Sequence, residues 1–431
     1  MSHMVNKAQG LGLSLLTKLA SSDYLDQLKL RKWLEKSLYQ GSKAGFSALS
    51  KSQHIFNHQQ KVDRQRLPAQ PKALFDLNLN EEQQMTCDAM SQFAKDMLYP
   101  LAHQADHAEK FPDELWQHML DLGLNEYALP EALGGVATEK TVLTNILIAE
   151  QLAQGDFSLS AALLSTFSVI NALSQWGSKQ AQSQYLSMFS EHPTLKATFA
   201  IQENTPAFNP FQLKTKAYKQ QDGYVLDGEK TLVILGEYAD LYLVSADFEG
   251  QSDVFITTRG EHISIKKSPA MGLKAAETVS LQFNHSPAIR LGDEDFNYQT
   301  FINLGNLMWC ATAIGTAESV KQYCIQYANE RTAFGEPISH RQSVAFMIAD
   351  MAIEIEAMRM LVYQAASLTE SGAEFHREAY LARVLCAEKS MKIGTDGVQI
   401  LGGHGFTKEH PVERWYRDLR ATAILHSGLH A

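Results

Sequence analysis

The spacing of apolar residues changes twice along this chain, and that limits the folds open to it. From about residue 80 to 190 apolar residues recur at helical spacing, as at Met85, Met90, Phe93 and Met97. Asn80 stands where a helix beginning EEQQM needs a cap. LPEALGG and QWGSKQ break the pattern. From about 196 to 292 the period falls to two. GYVLDGEKTLVIL, ADLYLVSAD, SDVFITTRG and ETVSLQFNHS alternate apolar and polar residues and are rich in Val, Ile, Thr and Tyr. From about 295 onward the long helical patterns return.

The predicted fold is therefore mostly α with a β domain. A basic helical leader and linker (1–75) precedes an N-terminal helical domain (76–195). A middle antiparallel β-barrel or sandwich (196–292) and a C-terminal four-helix bundle (293–431) follow. At 431 residues, 45% hydrophobic and 20% charged, the composition is that of a globular chain with ample core. The leading MSHM reads as an expression remnant and is set aside. AALLSTFSVINAL is the nearest approach to a membrane span, but it is short and broken by polar residues, so it reads as a buried helix.

Charge and cysteine usage narrow the partners. A net charge of −10 argues against nucleic acid. Residues 1–61 hold nine basic and three acidic side chains, or +6, which leaves −16 for the remainder. Such a leader suits an amphipathic helix packed on protein, or peripheral contact with an anionic membrane. Cys87, Cys310, Cys324 and Cys386 have neither metal-ligand nor disulfide spacing, which points to a reducing, cytoplasmic setting.

Two segments carry a specific resemblance. RTAFGEPISHRQSVAFMIADM (Arg331 to Met351) and QILGGHGFTKEHPVERWYRDLR (Gln399 to Arg420) resemble the C-terminal bundle of the acyl-CoA dehydrogenase family. FPDELWQHMLDLGL, LPEALGG and IAEQLAQGD resemble its N-terminal part, so the likeness runs over roughly 75 to 428. It implies a flavoprotein with non-covalent FAD that oxidises the Cα–Cβ bond of an acyl-CoA. A base takes the α-proton and electrons leave to an electron-transfer flavoprotein-like acceptor. It also implies a homodimer or homotetramer, with a hetero-oligomer as the alternative.

By the same resemblance, Arg331 and Phe334 reach the neighbouring subunit's FAD, and Gln342, Gln399, Gly402 and Gly403 contact the cofactor. Arginine is a permanent forked cation suited to pyrophosphate, and paired glycines admit close backbone approach. Ile201 and Gln202 fall on the flavin loop. Leu232 stands where the family has a flavin-covering Trp, and Ile234 where it has a Thr near flavin N5. Glu203 is retained from that loop, while Phe208 and Asn209 replace its Ser and Asp, and Lys274 stands at a usual Arg.

The reacting face departs from the family. Its two alternative base positions fall on His426 and near Gly305, and its CoA-contacting Asp and Arg fall near Asn303 and Asn306. None of the four is acidic. The family's further helix after the catalytic loop is not expected before Ala431. Three readings follow: a dehydrogenase with a displaced base, His426 or Glu203; an oxidase or monooxygenase relative with a non-CoA substrate; or an incomplete subunit that completes a partner's FAD site.

Overall fold

The computed structural model describes residues 78–137 and 141–431. The predicted leader and its possible membrane contact lie outside the described residues. Helix α1 (Glu81–Phe93) starts where the sequence predicts. Asn80 Oδ1 accepts from the Gln83 amide at 2.8 Å, and Gln83 Oε1 accepts from the Asn80 amide at 3.1 Å. This reciprocal pair satisfies amides that the first turn leaves free. A π-turn (Ala94–Leu98) joins α1 to α2 (Tyr99–Ala108). Gly155 lies against that turn: a Cβ there would stand 2.6 Å from the Ala94 carbonyl oxygen.

Helices α3 (Glu114–Leu122), α4 (Val142–Ala153) and α5 (Phe157–Trp176) are the other longer helices of the first block among the described residues. Helix α5 is long and apolar enough to cross a membrane, yet 94% of its apolar window is buried inside the protein. It is a core helix, started by Asp156, which accepts from the Leu159 amide at 2.9 Å.

Seven strands form the middle block. They are β1 (Ala197–Ala200), β2 (Lys216–Gln220), β3 (Gly223–Val233), β4 (Leu241–Phe248), β5 (Gln251–Thr258), β6 (Ile263–Lys267) and β7 (Val279–Arg290). β4, β2, β3, β7 and β5 pair in a closed ring, with β1 on β4 and β6 on β7. Tyr242, Phe255, Leu281 and Phe283 fill its interior. One expectation needs correction, because the sheet is not wholly antiparallel. β1 runs parallel to β4, from Ala197 opposite Leu241 to Ala200 opposite Val244, and β2 meets β4 in parallel at Lys216. Alternation has the same period in either sense, so pairing direction was not legible in it.

The C-terminal block supplies three long helices, α6 (Tyr298–Glu330), α7 (Gln342–Glu370) and α8 (His376–Leu401), then the shorter α9 (Val412–Leu419) and α10 (Ala421–Ile424). Helix α4 packs against both α6 and α7. Its fit on α6 depends on Gly315, whose Cβ would stand 2.0 Å from the Glu150 carbonyl oxygen. Buried Glu150 ties the layers together, accepting from Arg359 at 2.8 Å and Tyr363 at 2.9 Å.

Candidate functional site

The predicted cofactor residues fall into two groups at opposite ends of α6. The first lies in the β block. Ile201 and Gln202 follow β1. The Ile201 carbonyl accepts from Lys230 Nζ at 3.1 Å, and the Gln202 carbonyl accepts from the Thr231 amide at 2.9 Å. A register shift between Lys230 and Val233 leaves Leu232 half-buried in a left-handed conformation, at φ 53°. That conformation is uncommon for a side chain bearing Cβ and is held only where surroundings impose it. Ile234 is buried, and its carbonyl accepts from Thr198 Oγ1 at 2.8 Å. Gln202 Oε1 is buried with no hydrogen-bond partner among the described residues. A buried acceptor in that state costs free energy that a donor on a bound ligand would recover.

Glu203 is a structural anion. It accepts from Lys230 Nζ at 2.8 Å and from the amides of Lys214 and Thr215 at 2.8 and 3.0 Å. Burial alone would raise its pKa, but the ammonium and the two amides outweigh burial and hold the carboxyl below the usual range. Burial draws Lys230 down to about 8, so the pair is ionised at neutral pH. A carboxylate so stabilised is a poor proton acceptor, which removes Glu203 as the displaced base.

The second group is in the bundle. Arg331 caps the C-terminal end of α6 and Phe334 follows it in a short hairpin (Thr332–Ala333 with Glu336–Pro337). Gln342 opens α7, Gln399 lies in the last turn of α8, and Gly402 and Gly403 follow it. All six are exposed, and Phe334 is 97% exposed. The Arg331 guanidinium has no ion-pair partner among the described residues. It lines a cavity of about 300 Å³ with Tyr323, Tyr327, Glu330, His404 and His410. A Cβ built on Gly402 or Gly403 meets nothing within 4 Å. These residues fit a phosphate-bearing cofactor: an uncommitted guanidinium, open backbone and a ring-lined cavity.

The two groups are far apart within one chain. Phe301, near the start of α6, packs on Phe199 of β1 at 5.8 Å between ring centroids. Thirty residues of helix separate Phe301 from Arg331, about 45 Å at 1.5 Å per residue. No single dinucleotide spans that distance.

The expected reacting face lies at the first end. His426 is half-buried, edge-on to Phe208 at 6.0 Å between centroids. Burial, and then the Arg383 guanidinium, lower its pKa to about 4, so the ring is neutral across the physiological range. Gly305 packs directly on the segment that carries His426: its Cβ would meet Ser427 Oγ at 2.2 Å. Asn303 bonds His376 at 2.7 Å, and Asn306 Oδ1 accepts from the Ser427 amide at 3.0 Å. The two positions at which the resemblance implies a base thus meet here, and neither bears a carboxylate.

Sequence reading missed several neighbours. Tyr323 and Tyr327, one helical turn apart, bond His410 and His404 at 2.7 and 2.8 Å. That spacing, and the histidine inside GGHG, were the available signals. Arg383 gave none, being one polar residue on an apolar helix face. It is 9% exposed, donates to the Thr422 carbonyl at 3.2 Å, and pairs with no carboxylate among the described residues. Arg417 and Asp418, adjacent near the end of α9, are anchors. Arg417 pairs with Asp106 at 2.7 Å and with Glu413 at 2.8 Å. Buried Asp418 accepts from Ser158 at 2.9 Å and from the Leu273 amide at 2.7 Å.

Comparison with known proteins places this geometry among relatives. Residues 80–191 match the acyl-CoA dehydrogenase N-terminal domain, and residues 297–428 match the acyl-CoA dehydrogenase C-terminal domain. The short-chain-specific acyl-CoA dehydrogenase of Megasphaera elsdenii is 32% identical over 365 residues, covering 81% of this chain and 95% of the relative. The structure of butyryl-CoA dehydrogenase from Megasphaera elsdenii is similar at a TM-score of 0.74 and 30% identity, covering 81% of this chain and 95% of that one. A chain in a structure of the electron transferring flavoprotein of Acidaminococcus fermentans is similar to the same degree, with TM-score 0.74, 30% identity and coverage of 81% and 95%.

Proposed function

The chain belongs to the acyl-CoA dehydrogenase family, and from that premise we propose that it is an FAD-dependent oxidoreductase acting on a short-chain acyl-CoA, with each cofactor site built from two copies of the chain. The observation that carries this reading is the separation of the two groups on α6. Ile201, Gln202, Leu232 and Ile234 form one half of a site. Arg331, Phe334, Gln342, Gln399, Gly402 and Gly403 form the other half, about 45 Å away. A second copy that brings its Arg331 face to the first copy's β block completes both. Apolar side chains of α7 on the same side of the bundle support the pairing: Phe346 is 61% and Ile353 66% exposed.

FAD, when bound, supplies the hydride acceptor for the β-carbon. The chain's own residues bind and orient. Arg331 and the open Gly402–Gly403 backbone suit the diphosphate, and Gln202 Oε1 offers an acceptor to a ring N–H. His426 is the group assigned to take the α-proton, because it is neutral, unbonded among the described residues, and at the reacting face. Its low basicity makes it effective only where the thioester carbonyl is strongly polarised. An electron-transferring flavoprotein is the proposed acceptor, with the Acidaminococcus fermentans likeness in support. The four cysteines are buried free thiols, which supports a reducing, cytoplasmic setting.

A second reading rests on the same face. With no carboxylate at His426, Gly305, Asn303 or Asn306, the chain suits a subunit that lends its Arg331 face to a complete partner. The test is anaerobic reduction of the bound flavin by butyryl-CoA, in the wild type and in His426→Ala. The first reading expects bleaching of the wild type, slowed about a hundredfold or more in the variant. Equal bleaching in both removes His426 as the base. A yellow protein that does not bleach removes the acyl-CoA reading, and one that stays colourless until a complete partner chain is added supports the second.

A further inference from the structure

Two tyrosine–histidine pairs wall the cavity of about 300 Å³ beside Arg331. Tyr323 Oη lies 2.7 Å from His410 Nδ1, and Tyr327 Oη lies 2.8 Å from His404 Nδ1. The four rings pack as one block. The two imidazoles stack at 5.3 Å between centroids and 13° between planes, and Tyr327 stands edge-on to His404 at 6.0 Å and to His410 at 5.7 Å. The backbone fixes the block from both sides. Tyr323 and Tyr327 stand one turn apart on α6. His404 sits in the turn Gly402–Phe406, which Gly405 lets lie tight on the end of α8: a Cβ there would stand 2.3 Å from the Val398 carbonyl oxygen. The His404 carbonyl accepts from the Thr407 amide at 3.2 Å and from Thr407 Oγ1 at 3.0 Å.

These bonds decide which ring nitrogen can meet a ligand. Neither phenol has another hydrogen-bond partner among the described residues, so each O–H is free to donate to Nδ1. Burial raises the Tyr323 pKa and keeps that phenol protonated. In a neutral imidazole this bond leaves the ring hydrogen on Nε2, and in an imidazolium both nitrogens carry one. Nε2 is therefore a donor in either charge state. Neither Nε2 has a partner among the described residues. The Arg331 guanidinium in the same cavity also lacks one. Glu330, the carboxylate in the lining, accepts from Gln326 Nε2 at 2.9 Å. Uncommitted donors on Arg331, His404 and His410 thus share one small space. Such a set matches an anion with several acceptor oxygens, as a diphosphate has. Rings already locked in place lose little freedom when they bind it.

We propose that His404 and His410 bind the diphosphate of FAD through Nε2, beside Arg331, and that Tyr327 and Tyr323 are positioning residues that hold the two donors in place. The inference rests on the proposed FAD function. It assigns to the bundle half-site two ligands and two supports that lie outside the Arg331 and Gly402–Gly403 set.

Reconstitution of the full-length apoprotein with FAD tests this, with affinity read from flavin fluorescence and the diphosphate read by phosphorus NMR. His404→Phe and His410→Phe keep a ring in the block and remove its donor. Each is expected to weaken FAD about tenfold and to move the bound diphosphate resonances. His404→Gln, which restores an N–H donor, is expected to recover most of the affinity. Tyr327→Phe, which frees the His404 ring, is expected to weaken FAD by about threefold or more. Should a phenylalanine variant not fold, nitrogen NMR of the histidine-labelled wild type decides: FAD is expected to shift the Nε2 signals of both rings. Wild-type affinity in the double His404→Phe/His410→Phe variant overturns the assignment and leaves the FAD reading intact. So do unmoved Nε2 signals, or a loss of affinity with unchanged diphosphate resonances. A wild type that binds no FAD overturns the assignment together with the FAD reading.

Discussion

Lys230 and Glu203 show how single residues fix the proposed cofactor half-site. The ammonium is fully buried and bonds Glu203, the Ile201 carbonyl and Ser245. It pins the loop that presents Gln202 to the strand that presents Leu232. Removing one partner of a buried pair strands the other charge. Lys230→Met is therefore expected to cost about 3–5 kcal/mol in denaturant unfolding. His430 gives a pH signature. Burial lowers its pKa from 6.5 to about 3, so the unfolded chain takes up a proton that the folded chain refuses. Its stability contribution is present above pH 6.5 and is lost as pH falls toward 3. Relative to His430→Phe, which keeps the stack on Phe301, the wild type is expected to lose on the order of 1 kcal/mol per pH unit across that window. At this scale the sequence spoke unevenly. Arg331 and Gly402–Gly403 could be singled out because their spacing is specific. Arg383 and His430 could not, because a lone polar residue says nothing about which buried group it will meet.

Among the elements, α6 organises the molecule. One end meets the β block through Phe301 and the other presents Arg331, so a single helix carries parts of both proposed half-sites. Its packing on α4 requires Gly315, where a Cβ would lie 2.0 Å from backbone. Gly315→Ala is expected to push the helices apart and to lower stability by about 1–3 kcal/mol or more, read from thermal or denaturant melts. The same substitution at exposed Gly403, where a Cβ meets nothing within 4 Å, is expected to leave folding unchanged and to weaken only cofactor retention. Element type and order were legible because the hydrophobic period changes from helical to two and back. The α1 cap at Asn80 was legible from its own chemistry. The parallel β1–β4 pairing and the docking of Leu425–Ala431 were not, since both depend on contacts between segments distant in sequence.

As a whole, the molecule presents one strongly apolar, cation-bearing face on the bundle and one strained, partly unsatisfied face beside the β block. On the proposed reading each is incomplete alone, and each has what the other lacks. Ile353→Glu, at the centre of the exposed α7 surface, is expected to give a folded monomer that has lost its flavin, seen by light scattering and visible absorbance. The central claim is that one cofactor site takes its two halves from two chains. Co-expression of differently tagged Arg331→Ala and Leu232→Glu chains, with flavin measured in the isolated heterodimer, tests it most directly. The account predicts that each variant alone is colourless and that the heterodimer recovers flavin, because it contains one site with both halves intact. A colourless heterodimer beside a yellow wild type, or an Arg331→Ala homodimer with full flavin, would contradict it.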